Sequence, residues 1–561
     1  MNKLQPKQIF VLFLLAWLLL NLVQATFTEL DPDEAYYWVY SQQLDWGYFD
    51  HPPGIAVLIN LGTTIFPGTL GVRFFANVLL IGSFYLLWLC LPQDLNRRQT
   101  ILWISLLAAM PMLHVYSFIA TPDVPLLFFG ALYLWLNQQF SKNGSWVWAF
   151  ALGACMAALL YSKYHGILWI VLLLLAKLKV LKDPRYYVAG IFGILLFFPH
   201  LYWQYSNEFP SFRYHLSGRD DAYELKYTIT YLFNQFVIFS PFLFPLIIYS
   251  IWKFKPKNTF QKGWVYLIIG FWGIFFFLTG KGHAEPQWTV LLTFPLLLLL
   301  FEACQQQLIS WKWTLRMAWM SLFFLIIARV LLLIPFKDLD SDFHKSAWVD
   351  QLKTKAGDLP VLFMDSYRDP SKYAFYSGDR AYTLTDVYYR KNQFDLWDWE
   401  KVLHNQSVFI VGQGQLDCPG CEVLKLTNRG EKTFVVADSF QVTQNVWIDF
   451  TFPEDTLIYG KSYLVDMEIQ NPYAHTIQRN TGSQPIELYL LLTDAKEYKQ
   501  WYPIQSDWKE WRGSDSTKIQ GTFNVPGFLG DPASAFLQIG IRTGGLHPAY
   551  HSKPKPLYLR Y

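Results

Sequence analysis

Long apolar runs separated by short polar segments fill the chain as far as Pro335 and then stop. Runs such as FVLFLLAWLLLNLV, VLLLLAKLKVL and FPLLLLLF approach the length of about 20 residues that a helix needs to cross the hydrocarbon core of a bilayer. The pattern therefore predicts about eleven transmembrane helices. They begin near Phe10, Arg73, Thr100, Val124, Trp146, Gly166, Tyr187, Tyr227, Trp264, Trp288 and Trp311.

Composition supports this interpretation and excludes a single soluble domain. Of the 561 residues, 53% are hydrophobic and 19% are aromatic, which is more than is usual for a soluble enzyme. We expect membrane lipids, and no nucleic acid, among the partners of the chain.

The distribution of lysine and arginine predicts the orientation, because these residues are retained on the cytoplasmic side of a span. With a cytoplasmic N terminus, the external loops hold only Lys163, Arg213, Arg219, Lys226 and Lys281. An odd number of spans then places the C-terminal part outside, on the periplasmic side of a cell (inner) membrane. The cytoplasmic loops hold Lys3, Lys7, Arg97, Arg98, Lys142, Lys177, Lys179, Lys182, Arg185, Lys253, Lys255, Lys257, Lys262, Lys312 and Arg316.

The first apolar run has a second interpretation. Lys3, Lys7, a short apolar core and the sequence Val23-Gln24-Ala25 are also typical of a secretory signal with its cleavage site. We favour a retained helix. In both cases Asp33 emerges on the external side.

The C-terminal part predicts two folds in succession. We assign residues 1–336 to the membrane domain, with a first external loop at 28–70, residues 337–428 to a small α/β domain, and residues 429–561 to a β-sandwich. Gly412-x-Gly414 lacks the third glycine of a dinucleotide-binding turn. Cys418-Pro-Gly-Cys421 predicts a small disulfide rather than half of a zinc site.

The segment DPDEAYYWVYSQQLDWGYFDHPPG, residues 31–54, places many acidic and aromatic side chains next to the first span. Asp31 as N-cap, the proline after it and Glu34 as the second half of a capping box predict a helix start. Such a helix would lie on the membrane surface. Capping explains Asp31 and Glu34 but leaves Asp33, Asp45 and Asp50 without a structural role.

Ionisable residues recur in the other short external connections. Asp123 begins a span, and the helix dipole alone explains a carboxylate there, at about 0.3–1 kcal/mol. Lys163, Arg219 and Lys281 predict a set of cations that grip an anionic headgroup. Residues 202–226 fit either a flap over the bound substrate or a loop that rests on the headgroups. Several charged groups that converge at this depth usually indicate function.

Six motifs together resemble the successive signatures of bacterial GT-C glycosyltransferases, in the branch that includes the protein mannosyltransferases and the lipid A aminoarabinose transferase. The resemblance covers roughly residues 12–288. The motifs are Asp33-Glu34-Ala35-Tyr36-Tyr37-Trp38, Gly47-Tyr48-Phe49-Asp50-His51-Pro52-Pro53, Gly71-Val72-Arg73, Thr121-Pro122-Asp123-Val124-Pro125, Ser162-Lys163-Tyr164 and Glu285-Pro286-Gln287-Trp288.

The resemblance implies a GT-C fold and a reaction outside the cytoplasm. A sugar would move from a polyprenyl-phosphate donor of the undecaprenyl-phosphate type to a hydroxyl of a lipid, glycan or protein acceptor, usually with inversion. Asp33 would be the general base, Glu34 would orient Asp33 or a metal, and Asp123 would position the acceptor or Lys163. Lys163 would hold the donor phosphate. Further candidates for binding the donor are Tyr164, Arg73, Arg219, Lys281, Asp50 and His51.

The resemblance leaves cofactors open, because the family is divided over metal use. A divalent ion or two lysines would each neutralise the donor phosphate. Candidate metal ligands are Glu34, His283 and Glu285.

Two other classes of protein remain as alternatives. A lipid-linked substrate transporter or flippase with an external binding domain would also carry charged residues, although mainly inside its spans and near the midplane. A membrane-anchored binding protein would explain the β-sandwich but not so many spans.

Overall fold

The computed structural model describes residues 4–217, 223–334, 346–364, 366–412, 420–452, 456–479, 484–494, 499–525, 527–528, 530, 535–556 and 558–560. The chain divides into two compact units, Met1–His344 and Lys345–Tyr561.

Helices build the first unit. Its described residues form sixteen α-helices, α1 to α16, and a 3-10 segment, Pro286–Leu292, precedes α15. In chain order the helices are Pro6–Phe27, Pro32–Gln42, Gly54–Thr63, Gly68–Cys90, Arg97–Ala108, Pro111–Val115, Asp123–Lys142, Trp146–Ser162, Gly166–Ala176, Pro184–Ser206, Pro210–Ser217, Leu225–Ile238, Phe244–Lys253, Thr259–Leu278, Thr293–Gln305 and Trp311–Leu333.

A multi-pass membrane protein is confirmed, whereas the predicted number of about eleven spans is not. Every predicted start falls within a helical segment. Among the described residues, however, only six segments are both long and apolar enough to cross a membrane. They are Pro6–Phe27, Gly68–Cys90, Pro184–Ser206, Thr259–Lys281, Pro286–Gln305 and Trp311–Leu333.

Two predicted spans are interrupted by the local backbone. Helix α5 ends before Pro111, which has no N–H to donate and clashes with a preceding helical turn. Ser240 separates α12 from α13 with a φ of 68°, which a right-handed helix does not contain. Two helices were not predicted: α3, inside the first external loop, and α11, inside residues 202–226.

Close packing of small residues joins α8 to α10. A Cβ atom on Gly153 would lie 2.4 Å from the carbonyl oxygen of Ala189, and one on Gly193 would lie 2.9 Å from the carbonyl oxygen of Gly153. Small residues at such crossings let two helix backbones approach in a membrane. Gly190, on the same helix α10, has open space around it.

We therefore expect Gly153→Ala to destabilise the protein and Gly190→Ala not to do so. The first change forces apart two backbones, at a typical cost of about 1–3 kcal/mol, whereas the second adds a better helix former in open space. Thermal unfolding of the purified full-length protein in detergent measures both. Equal unfolding midpoints for the two variants would contradict this packing.

The second unit begins with a mixed sheet. Strands β1 to β5 are Val361–Met364, Ala381–Leu384, Val408–Val411, Glu422–Leu426 and Gly430–Ala437, and helices α17 and α18 are Ala347–Ala356 and Arg368–Ser377. The strand order is β2-β1-β3-β5-β4. The first three strands are parallel, and β5 and β4 add antiparallel pairs.

Two larger antiparallel sheets follow. Strands β6 to β18 are Trp447–Thr451, Thr456–Ile458, Ser462–Asn471, Ile477–Gln478, Ile486–Thr493, Lys499–Pro503, Gln505–Ser506, Glu510–Trp511, Asp515–Asn524, Phe536–Thr543, Ala549–Tyr550, Lys555–Pro556 and Tyr558–Arg560. One sheet has the order β12-β14-β8-β6 and the other β11-β10-β15-β16. Alternate residues of β8 are buried, as in a strand with one face on a core.

The predicted boundary at 428/429 is wrong. It falls in the turn between β4 and β5, which are paired strands of the mixed sheet. Leu362 and Ile410 of that sheet also belong to the same hydrophobic cluster as Ile469 and Leu490 of the two larger sheets. The α/β part and the β-sandwich part therefore share one core.

Three of the five cysteines, Cys90, Cys155 and Cys304, are free and buried. Cys421 is disulfide-bonded. Cys418 and Gly414 lie outside the described residues.

Candidate active site

The start of α2 is built as the sequence predicts. The carboxylate of Asp31 accepts the backbone N–H of Asp33 at 2.9 Å, and the carboxylate of Glu34 accepts the backbone N–H of Asp31 at 3.0 Å. This is a complete capping box. Asp33 itself is half-buried and shares a helix face with Tyr37, one turn later.

A fully buried ion pair fixes Glu34 and Arg73. The Nε of Arg73 lies 2.7 Å from Oε1 of Glu34, and its Nη2 lies 2.5 Å from Oε2. The same guanidinium donates to the carbonyl oxygens of Ala25, Thr28 and Glu29. It thus satisfies backbone oxygens at the end of α1 that have no helical donor.

This pair restricts what Glu34 and Arg73 can contact. Both side chains are 0% exposed, so neither can contact a substrate without breaking the pair. The roles predicted for them, as phosphate holder and metal ligand, stay predictions that require the pair to open. In the structure the pair joins α1, α2 and α4.

Glu34 also brings residues 31–54, which we call the first external segment after their predicted location, to Asp123. Its Oε1 accepts the backbone N–H of Ala120 at 2.7 Å, three residues before α7 begins at Asp123. Asp123 in turn holds Lys163, whose Nζ lies 2.8 and 3.0 Å from the two carboxylate oxygens. Asp123 and Lys163 are both buried, at 3% and 7% exposure.

Asp50 and His51 close the first external segment. The hydroxyl of Tyr40 donates to Asp50 at 2.6 Å, and the rings of Tyr40 and Tyr48 stack at 4.1 Å. Burial first, and the charge of Asp50 second, raise the pKa of Tyr40 well above its ordinary value, so Tyr40 stays a hydrogen-bond donor. The carbonyl oxygen of His51 accepts from the backbone of Tyr48 at 3.1 Å, which closes a turn.

A second polar network, not predicted from the sequence, surrounds Tyr164. His200 makes hydrogen bonds at both ring nitrogens: Nδ1–H donates to the carbonyl oxygen of Trp46 at 2.7 Å, and Nε2 lies 3.0 Å from the hydroxyl of Tyr164. Gln204 donates to Tyr164 at 3.0 Å and to Ser211 at 2.7 Å. The network makes Tyr164, beside Lys163, a link between α10, α11 and the first external segment.

Two glycines allow this close packing. A Cβ atom on Gly47 would lie 2.4 Å from the ring of Trp203, and one on Gly54 would lie 2.7 Å from the carbonyl oxygen of Tyr161. The first external segment therefore rests directly on α10 and on the end of α8, next to Lys163.

Four segments thus meet at one end of the helices, and we call this region the rim: residues 31–54, 116–123, 161–166 and 279–288. The fourth joins through His165, whose ring lies 5.6 Å from that of Trp288. Lys281 and His283 are exposed there, and His283 lies 3.9 Å from Glu285. Arg219 lies outside the described residues.

The predicted metal candidates do not form one group. Among the residues that the structure describes, no cluster of three or more histidine, cysteine, aspartate or glutamate side chains is placed to hold an ion. His283 and Glu285 face each other, while Glu34 is bound to Arg73.

Comparisons with known proteins agree with this geometry. Residues 50–203 match the family model described as dolichyl-phosphate-mannose-protein mannosyltransferase. The crystal structure of ArnT from Cupriavidus metallidurans in the apo state matches with a TM-score of 0.57 and 14% identity, covering 76% of this chain and 97% of that one. The same ArnT bound to undecaprenyl phosphate matches with a TM-score of 0.55, 15% identity and the same coverage.

This chain has the GT-C fold of the PMT and ArnT type. The predicted resemblance and the predicted fold class are therefore confirmed. No curated protein matches the chain in sequence. The PMT-type match covers the end of the first external segment, Asp123, Lys163 and His200, and so includes one rim segment in part and two completely.

Loss of the charge on Glu34 is expected to destabilise this GT-C unit strongly. In Glu34→Gln, the guanidinium of Arg73 stays buried without a counter-charge, a change that typically costs about 3–5 kcal/mol. The matched control is Glu208→Gln, because Glu208 pairs with Arg213 at 3.0 Å but both side chains are largely exposed. Thermal unfolding of the two variants should separate them clearly. Similar midpoints would show that the buried pair does not hold the rim together.

Proposed function

We propose that this GT-C protein transfers a sugar from a polyprenyl-phosphate donor to an acceptor hydroxyl at the rim, on the extracytoplasmic face of the membrane. One observation carries the proposal: the half-buried Asp33 and the ammonium of Lys163 lie at the same end of the helices, where one network holds their neighbours together. Glu34, the residue after Asp33, binds the backbone of Ala120, and Asp123, three residues after Ala120, binds Lys163. Sugar transfer of this kind requires a base for the acceptor hydroxyl and a cation for the departing phosphate at the same rim.

Asp33 is the better candidate for the general base. The two oxygens of Asp123 already accept hydrogen bonds from Lys163, and those of Glu34 accept from Arg73. Lone pairs engaged by a cation are poor proton acceptors, and Asp33 is the half-buried acid of the three, whereas Glu34 and Asp123 are buried. Asp33 takes the proton of the acceptor hydroxyl as the hydroxyl oxygen attacks the anomeric carbon of the sugar. The bond between the sugar and the lipid phosphate breaks, and the lipid phosphate leaves.

Lys163 holds the departing lipid phosphate, and Asp123 positions Lys163. An ammonium already fixed by Asp123 is desolvated and oriented before the donor binds, so little order is lost when the phosphate arrives. Tyr164 and His200 hold the adjacent backbone against the first external segment. The ArnT structure with undecaprenyl phosphate supports a lipid-linked donor for this fold.

The decisive test compares Asp33→Asn with the wild-type chain. Purified protein is incubated with radiolabelled polyprenyl-phosphate sugars and membrane extract as the source of acceptor. We expect transfer to fall by about 10²–10⁴-fold in Asp33→Asn, because a general base typically contributes that much, while binding of the donor is kept.

Glu208→Gln is the control, because Glu208 belongs to an exposed ion pair. This variant should transfer sugar as the wild type does. Transfer from a nucleotide sugar in the absence of lipid would refute the assignment of a polyprenyl-phosphate donor. Full transfer by Asp33→Asn would refute the role of Asp33 as general base. Solute flux in place of transfer would favour a flippase.

We also propose that the N terminus is cytoplasmic, so that the rim faces outward. Cysteine substitutions at two exposed positions test this orientation: Trp46→Cys on the rim and Lys179→Cys in the lysine-rich connection after α9. A membrane-impermeant maleimide applied to intact cells should label the first at once and the second only after permeabilisation. The parent chain gives the background from the native cysteines. The reverse pattern would place the rim in the cytoplasm.

A further inference from the structure

The second unit contains a cavity of about 230 Å³. It lies between the segment that follows β2, the turn before β6 and the hairpin of β15 and β16. The polar residues that line it include Thr385, Asp386, Asp395, Gln444, His547 and Tyr550.

Two carboxylates, Asp386 and Asp395, place hydrogen-bond acceptors in the wall of this cavity. Asp386 accepts the backbone N–H of Tyr388 at 2.7 Å, and its other oxygen lies 3.1 Å from Nδ1 of His547. Asp395 accepts from the hydroxyl of Thr385 at 2.8 Å and from the side-chain amide of Gln444 at 2.7 Å. The oxygen of Asp395 that binds Thr385 also accepts the backbone N–H of Asn392 at 2.7 Å. Each carboxylate oxygen has two lone pairs, so the oxygen that binds Gln444 can accept one further donor.

Gln444 supplies a second indication of a missing donor. Its Oε1 is buried and has no hydrogen-bond partner among the described residues. A buried acceptor without a donor is costly, typically by about 1–3 kcal/mol. A ligand that brings hydroxyl groups into the cavity would satisfy it.

Charge and size restrict the ligand. The lining holds two acids, Asp386 and Asp395, and two bases, Arg390 and Lys391, so it does not favour an ion of either sign. Burial lowers the pKa of His551, which also lines the cavity, to about 4, so this ring is neutral near pH 7. The volume lies below the roughly 300 Å³ at which sites for drug-sized ligands begin, which fits one small ring.

An aromatic patch adjoins the cavity through His547. The ring of Tyr388 is 52% exposed and lies 4.8 Å from His547 and 5.6 Å from Trp501, and the rings of Trp501 and His547 lie 5.9 Å apart. Tyrosine and tryptophan combine a flat apolar face with a polar tip, and they are favoured at binding surfaces for that reason. This patch offers a stacking surface beside the acceptors.

We propose that this cavity binds one neutral pyranose ring of a saccharide. The hydroxyl groups of the sugar donate to Asp386, Asp395 and Gln444, and its C–H face lies against Tyr388 and Trp501. Neutral sugars present many donors and one apolar face, which is the combination that the wall and the patch provide. The proposal concerns binding alone and does not depend on the transfer reaction at the rim.

Saturation-transfer difference NMR on the full-length protein in detergent tests this site with glucose, galactose, mannose and N-acetylglucosamine as probes. We expect at least one of them to bind. Tyr388→Ala should weaken that binding about tenfold or more, and it should not change the unfolding midpoint because Tyr388 is exposed. Asp386→Asn should weaken it as well, and Tyr388→Trp should restore it.

Two controls separate this site from others. Tyr459→Ala removes another exposed aromatic ring of the same unit and should bind as the wild type does. Asp33→Asn should also bind the saccharide as the wild type does. The test of saccharide binding is therefore independent of the test of sugar transfer. The proposal is overturned when no probe binds, when binding survives both Tyr388→Ala and Asp386→Asn, or when Asp33→Asn abolishes it.

Discussion

The rim depends on the pairing of two charges that cannot be exposed to hydrocarbon. An unpaired guanidinium or carboxylate at this depth would cost much free energy, so Glu34 and Arg73 must pair. Among the described residues, no other acid forms an ion pair with Arg73. Their pairing imposes the rest of the local structure. Arg73 reaches back to the carbonyl oxygens of Ala25 and Thr28, which fixes the end of α1. Glu34 reaches forward to Ala120, which fixes the approach to α7.

Two adjacent carboxylates acquire different roles because of this constraint. Glu34 points into the unit and is fully buried, whereas Asp33, one residue earlier and about 100° around the helix, is half-buried. Environment, rather than residue type, separates a structural acid from a candidate base. Asp123 and Asp33 differ in the same way: Asp123 has the structural role of holding Lys163, and Asp33 is the candidate base. The acids of the first external segment thus share one location but not one function.

Local signals in the sequence predicted the parts of this arrangement that are local in space. The capping box of α2, the starts of the helical segments and the family resemblance follow from residues within a few positions of each other. The partners of Glu34 and Lys163 lie 39 and 40 residues away, so no periodicity indicates them. His200 is similar, because a histidine in an apolar run gives no sign that it binds Trp46. The helix α3 was missed because its ten residues are too few for a span, and the shared core of the second unit depends on contacts between distant strands.

Charge balance decides what a phosphate at the rim requires. Lys163 is already neutralised by Asp123, and Asp33 and Asp50 add further negative charge in the same region. A lipid phosphate brought there meets repulsion that one shared lysine does not offset. We therefore propose that a second cation takes part in binding the phosphate. Lys281 is exposed in the segment that the contact of His165 with Trp288 brings to the rim. The long side chain of a lysine reaches a headgroup without cost to the packing beneath it, so Lys281 fits this role in a way that the buried Arg73 does not.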